Sequence, residues 1–153
     1  MTTLRLLSPL AGTLRPVSAV PDPVFAEGIV GPGVAIEPPH VQSQTVLAPA
    51  DGVIGALHPH AFALELSEGR VVLVHLGIDT VGLAGQGFTL HVDGGQTVRA
   101  GDRLITWSPL DVAAAGLATI CPVVALQADS AALTVLVADG DTLQAGDPLL
   151  DWA

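Results

Sequence analysis

An eleven-residue segment occurs twice in this chain, and the repetition restricts it to a small set of architectures. Thr97-Val98-Arg99-Ala100-Gly101-Asp102-Arg103-Leu104-Ile105-Thr106-Trp107 recurs as Thr142-Leu143-Gln144-Ala145-Gly146-Asp147-Pro148-Leu149-Leu150-Asp151-Trp152. Each copy is an Ala-Gly-Asp turn followed by an apolar stretch that ends in Trp. A second echo sets Leu7-Ser8-Pro9-Leu10-Ala11-Gly12 against Leu47-Ala48-Pro49-Ala50-Asp51-Gly52, each turning a strand at its glycine. A strand with one apolar face cannot bury that face alone, whereas two related halves packed face to face satisfy each other. The expectation is an all-β chain, an antiparallel β-sandwich or flattened barrel with internal duplication and at most short helices.

The punctuation agrees. With 17 Gly and 12 Pro among 153 residues, the apolar runs are short, and the clearest strands are Thr45–Leu47, Gly52–Leu57, Ala61–Leu66 and Val71–Leu76. Phe62, Leu64 and Leu66 share one face of their strand, and Ser67-Glu68-Gly69-Arg70 turns the chain into the next, giving a hairpin. Only Leu110–Gly116 reads as a helix, with Pro109 at or just before its start and Gly116 as its stop. No linker or low-complexity tract divides the chain, so residues 1–153 are expected to form a single domain.

No stretch approaches the roughly 18 uninterrupted apolar residues of a membrane span, so no direct membrane insertion is expected. The first residues, MTTLRLLSPL, lack the layout of a secretory signal. The lone Cys121 fits a reducing compartment, and the cytoplasm is the expected location. Five arginines, with no lysine, face fifteen acids. The resulting net charge of -10 serves solubility and would repel a nucleic-acid backbone, so no nucleic acid is expected as a partner. A charged partner should instead present a basic surface.

Two histidines stand out, His60 in Leu57-His58-Pro59-His60-Ala61-Phe62 and His75 in Leu73-Val74-His75-Leu76-Gly77-Ile78-Asp79-Thr80-Val81. A hairpin register centred on Ser67–Gly69 pairs position 60 with one close to 75, which lets two imidazoles lie side by side. His75 on an apolar strand can be read as a core imidazole satisfied internally. Gly77, Asp79 and the flanking Leu76, Ile78 and Val81 argue instead for a reactive group at the rim of an apolar patch.

The segment Val74-His75-Leu76-Gly77-Ile78-Asp79-Thr80-Val81 resembles the active-site segment of the glucose-type enzyme IIA domains of the bacterial phosphoenolpyruvate-dependent sugar phosphotransferase system. Val20-Pro21-Asp22-Pro23-Val24-Phe25-Ala26-Glu27-Gly28-Ile29-Val30-Gly31, Ala48-Pro49-Ala50-Asp51-Gly52, His60-Ala61-Phe62 and Gly85-Gln86-Gly87-Phe88 resemble the family's other signatures, in the same order. The resemblance implies an antiparallel β-sandwich that works as a phosphotransferase. His75 would accept a phosphoryl group through Nε2 from the histidine-containing phosphocarrier protein and pass it to the cysteine of an enzyme IIB domain, for sugar uptake and phosphorylation. His60 would be the essential neighbour. Asp22 and Asp79 would flank the site, and Val24, Phe25, Phe62, Ile78 and Val81 would form the docking surface. Neither a metal nor another cofactor is implied.

The chemistry suits those roles. A neutral imidazole offers one unprotonated nitrogen to attack phosphorus. Phosphoryl transfer then needs mainly positioning and charge balance, to which a hydrogen bond from His60 would contribute. Asp22 and Asp79 can also be read as turn-capping residues. His58, followed by Pro59, stands where the family has a Thr two positions before the second histidine, so either His58 takes over that hydrogen-bonding duty in support of the phosphoryl site or the duty is absent. Pro23 stands where an apolar β-branched residue is common, and the family's lysines are missing. The N-terminal membrane-binding extension of some relatives is not expected here.

His40 and His91 read as surface residues and Cys121 as a buried thiol. Two other functions can be written on the same residues. His58, His60, His75 and Asp79 supply groups that zinc accepts, as in lysostaphin-type peptidases, but in the reverse order of that family's elements. A regulatory binding module is the other alternative. Its lipoyl-type version lacks the lysine such carriers need, and its phosphorylation-dependent version would choose partners by the added charge.

Overall fold

The computed structural model describes residues 2–153, and among them strand dominates. The strands are β1 (Leu4–Leu7), β2 (Gly12–Pro16), β3 (Gly33–Glu37), β4 (Gln44–Leu47), β5 (Gly52–His58), β6 (Ala61–Glu65), β7 (Val71–His75), β8 (Phe88–Leu90), β9 (Thr97–Val98), β10 (Arg103–Trp107), β11 (Cys121–Ala125), β12 (Leu133–Val135), β13 (Thr142–Leu143) and β14 (Pro148–Trp152). The helices are α1 (Pro23–Ala26) and α2 (Pro109–Ala114). All strand pairs are antiparallel. The chain is therefore all-β with short helices, and α2 starts at Pro109 behind a Ser108 cap, as its sequence signals require.

An eight-stranded sheet in the order β13-β2-β3-β11-β7-β6-β5-β9 packs against two three-stranded sheets, β1-β14-β12 and β4-β10-β8. That order reads as its own mirror image. The half β4–β10 repeats the pattern of β1–β3 plus β11–β14, so one copy of the duplicated unit is inserted into the other between β3 and β11. The two sequence echoes form the joints of this arrangement. Leu7 N–H donates to Pro49 O and Leu47 N–H to Pro9 O, both at 2.8 Å, so the two proline turns clasp each other. In each Ala-Gly-Asp turn the aspartate accepts from the backbone N–H three residues earlier, Arg99 to Asp102 at 2.9 Å and Gln144 to Asp147 at 2.8 Å. Gly12 and Gly52 are equivalent too, because a Cβ on either would lie 2.4 Å from a carbonyl oxygen, that of Glu37 or Glu65.

The main core fills the space between the layers. Phe62, Leu64, Val72, Val74, Ile36 and Val123 come from the large sheet and meet Leu104, Trp107, Leu149 and Trp152 from the small ones. Alternation sends Leu73, His75, Ala35 and Val124 to the other face of the large sheet. There a second cluster of Val20, Phe25, Ala35, Ile78, Ile120 and Val124 holds α1 against the sheet. Asp22 caps α1 by accepting from Val24 N–H at 3.0 Å, and Pro23 at the first helical position needs no hydrogen-bond partner for its nitrogen. Four residues are too few for a periodic signal, which is why this helix is not evident in the sequence.

Phe62 is 1% exposed, which places it in the core between the sheets and corrects the expectation that it joins a docking surface. Phe62→Ala should therefore lower the unfolding free energy by about 3–5 kcal/mol in denaturant titration. Val81→Ala, at a side chain 67% exposed, should change it by no more than about 0.5 kcal/mol. A small effect of Phe62→Ala would contradict this placement.

Candidate active site

The β6–β7 hairpin brings the two histidines together. Ala61 pairs with His75, and Leu76 N–H donates to His60 O at 2.7 Å, one position from the register expected from the turn. The His60 and His75 rings lie edge to face with centroids 5.0 Å apart, and Phe25 of α1 closes the other side of His75 at 5.6 Å. His75 is thus held between the hairpin and α1 on the outer face of the large sheet.

Beyond His75 the chain passes through Gly77 at φ +72° and Asp79 at φ +61°, both left-handed. This double turn folds the Gly77 carbonyl back onto the ring, where it accepts from His75 Nδ1 at 2.5 Å. A Cβ on Gly77 would meet Ala118 O and Thr80 Cγ2 at 2.8 Å each, so only glycine fits. A carbonyl can only accept, so Nδ1 carries the proton and the neutral ring keeps its lone pair on Nε2.

Burial is the main influence that holds His75 below the ordinary imidazole range. The Gly77 carbonyl and the charges of Asp22 and Asp79 oppose it, and His58 adds slightly to it. His60 is lowered as well, first by burial and then by the neighbouring His75 and His58. Both imidazoles are therefore predominantly neutral at pH 7, with carboxylates nearby that favour any positive charge formed during reaction. Among the arginines, Arg5, Arg15 and Arg70 are paired elsewhere, with Asp151, Asp139 and Glu68.

His75, His60, His58, Asp22 and Asp79 are thus brought into one site. Asp22 also caps α1, whereas Asp79 heads the following 3-10 turn without a side-chain cap. His58 stacks on His60 with centroids 5.7 Å apart and planes 28° from parallel. Among the described residues no hydrogen bond joins the two rings, so the contact between His58 and His60 is stacking. Of the five residues expected to form a docking surface, Val24 and Val81 are exposed. Phe25 and Ile78 are buried in the outer cluster, and Phe62 is buried in the core between the sheets. Apolar character alone does not separate rim from support; alternation along β6 does so for Phe62.

His40 is half-exposed and hydrogen-bonded to Thr119 at 3.1 Å, and His91 is exposed and bonded to Thr106 at 2.7 Å. The Cys121 thiol is fully buried, and burial pushes its pKa up. Two groups near Gly77 escape the sequence reading. The Ala118 carbonyl, which accepts from Ile78 N–H at 3.0 Å, has no sequence signal. Thr80 does have one, as a hydroxyl that directly follows Asp79.

Comparison with known proteins agrees with this geometry. The family described as phosphoenolpyruvate-dependent sugar phosphotransferase system, EIIA 1, matches residues 4–131. The chain is 38% identical over 128 residues to the PTS system glucose-specific EIIA component of Bacillus cereus, covering 82% of this chain and 76% of that protein. It is 46% identical over 128 residues to the PTS system glucose-specific EIIBCA component of Corynebacterium glutamicum and 48% identical over 121 residues to that organism's mannose-specific EIIBCA component. Those matches cover 82% and 78% of this chain but only 18% and 17% of the longer relatives. The solved structure of glucose permease IIA from Mycoplasma capricolum superposes with a TM-score of 0.86 at 31% identity, covering 99% of this chain and 96% of that one. None of these relatives is a peptidase, and His58 and His60 stack rather than converge on a metal position. With the duplicated sandwich, the paired imidazoles and these matches, the chain belongs to the EIIA 1 family of the phosphoenolpyruvate-dependent sugar phosphotransferase system.

Proposed function

We propose that this chain carries a phosphoryl group on His75 Nε2, taking it from the histidine-containing phosphocarrier protein and handing it to the cysteine of an enzyme IIB domain. The observation that carries this reading is the hydrogen bond from His75 Nδ1 to the Gly77 carbonyl, because it leaves Nε2 as the free nitrogen beside His60. In the first step the Nε2 lone pair attacks phosphorus, an N–P bond forms, and the donor's N–P bond breaks with its electron pair returning to the donor imidazole. In the second step the acceptor's thiolate attacks, an S–P bond forms, and the His75 N–P electrons return to Nε2. No proton need leave His75 in either direction, since Nδ1 keeps its own.

The remaining groups balance charge. The ring of His75 becomes cationic once Nε2 is bonded to phosphorus, and the carboxylates of Asp22 and Asp79 stabilise that cation. They also repel the phosphoryl oxygens, which keeps the phosphohistidine a transferable intermediate rather than a sink. His60 lies where it can donate to a phosphoryl oxygen, and such a contact strengthens as charge redistributes in the transition state. The exposed Val24 and Val81 provide apolar contact for both partners, and the surrounding acids suit a basic partner surface.

The longer relatives are named as EIIBCA components, with IIB, IIC and IIA in one protein, which supports an enzyme IIB domain as the acceptor. Their names divide between glucose and mannose, so the sugar should be one that both kinds of system resemble, a hexose. The chain would then work in the cytoplasm, with its donor.

Phosphoenolpyruvate plus the two upstream relay proteins should label this chain with acid-labile, base-stable phosphate, and His75→Ala should abolish the label. Stoichiometric labelling of that variant would remove His75 from its role. His60→Gln should still accept phosphate while onward transfer to a IIB panel drops by about a hundredfold or more, the scale of one lost transition-state donor; transfer at the normal rate would exclude His60. Burial lowers the pKa of His75, so the neutral, attacking form should persist as pH falls past the ordinary value of about 6.5. An NMR titration of the His75 ring should give a midpoint below that value, and one at or above it would contradict the buried site.

A further inference from the structure

The turn that delivers the Gly77 carbonyl to His75 is held by a hydroxyl that the chemistry above does not use. Thr80 is 1% exposed, and its Oγ1 donates to Leu76 O at 2.8 Å. Among the described residues no backbone-to-backbone hydrogen bond joins two residues of 76–80, so this side-chain bond is what closes the turn on itself. The two peptide groups flanking Gly77 are held separately. The one before it is fixed through the Leu76 carbonyl by Thr80, and the one after it through Ile78 N–H by Ala118 O at 3.0 Å. The second of these peptide groups carries the oxygen that accepts from His75 Nδ1.

The turn needs such support. Asp79 is left-handed at φ +61°, a conformation that strains a non-glycine residue and persists only where its surroundings enforce it. The Thr80 methyl adds contact, since the space where a Gly77 side chain would be is bounded by Thr80 Cγ2 and Ala118 O. A threonine hydroxyl that bonds four residues back is common inside helices, where it merely competes with a backbone bond already made. Here it spans a double left-handed turn, and without it the Leu76 carbonyl would lose its intraturn partner.

We propose that Thr80 is a positioning residue for phosphoryl transfer: its buried hydroxyl, by holding the Leu76 carbonyl, fixes the turn that aims the Gly77 carbonyl at His75 Nδ1 and so keeps Nε2 the unprotonated nitrogen. This rests on the reading of His75 as the phosphoryl acceptor. An imidazole released from that carbonyl would share its single proton between both nitrogens, and only the fraction with a bare Nε2 could attack along the built direction.

The test compares Thr80→Val, which keeps the shape and loses the hydroxyl, with Thr80→Ser, which keeps the hydroxyl. Long-range ¹H–¹⁵N NMR of the unphosphorylated protein well above the His75 midpoint reports which ring nitrogen holds the proton. Wild type and Thr80→Ser should show Nδ1–H alone. Thr80→Val should show a mixture, and its labelling rate should drop about tenfold, the scale of one hydrogen bond. A folded Thr80→Val with pure Nδ1–H and wild-type labelling would overturn the proposal. If Thr80→Val does not fold, a folded Thr80→Ser with a mixed tautomer would overturn it equally, by showing that the methyl rather than the hydroxyl holds the turn. Failure of the wild-type protein to label would count against the phosphocarrier reading, while the tautomer comparison would still decide the role of Thr80.

Discussion

A single hydrogen bond decides what this site can do, that from His75 Nδ1 to the Gly77 carbonyl. It converts an imidazole with two equivalent options into one with a defined donor side and a defined nucleophilic side. The local structure around it serves that conversion. Gly77 allows the backbone to double back, Asp79 continues the left-handed turn, and Ala118 O holds the following peptide. Burial keeps the ring uncharged, so the lone pair is available at neutral pH.

The duplicated scaffold explains where such a site can be built. β7 and β11 are equivalent strands that pair at the centre of the large sheet, one from each half. Ala61↔His75 begins the β6–β7 ladder, and Gly33↔Val124 occupies the matching place in β3–β11. The same structural position therefore carries an imidazole in one half and a fully buried valine in the other. The outer cluster beneath α1 spreads over the valine side and ends at Phe25 against the His75 ring. Symmetry in the core stabilises the fold, and its loss on the outer face makes the site.

Much of this was legible in the residues because the repeats and the turn chemistry act locally. The Ala-Gly-Asp turns, the proline turns and the β6–β7 hairpin depend on residues within a few positions of each other, so they can be read without the tertiary fold. The nesting of one half inside the other could not be read, because the echoes mark matching joints without stating which strand pairs with which. The residues expected to form a docking surface show the same limit. Phe62, Phe25 and Ile78 are as apolar as Val24 and Val81; alternation along β6 marks Phe62 as inward, whereas only packing shows that Phe25 and Ile78 are covered. His58 was recognisable as a departure from the family, but its stacking on His60, with planes 28° from parallel, is something no spacing rule supplies.

Phosphorus is expected to bond to one nitrogen of one histidine. The most direct measurement is ³¹P and long-range ¹H–¹⁵N NMR of the ¹⁵N-labelled protein after phosphorylation by its relay donor. The expected result is phosphorus bonded to His75 Nε2 with the proton retained on Nδ1. Phosphorus on Nδ1 of His75, or on either nitrogen of His60 or His58, would contradict it.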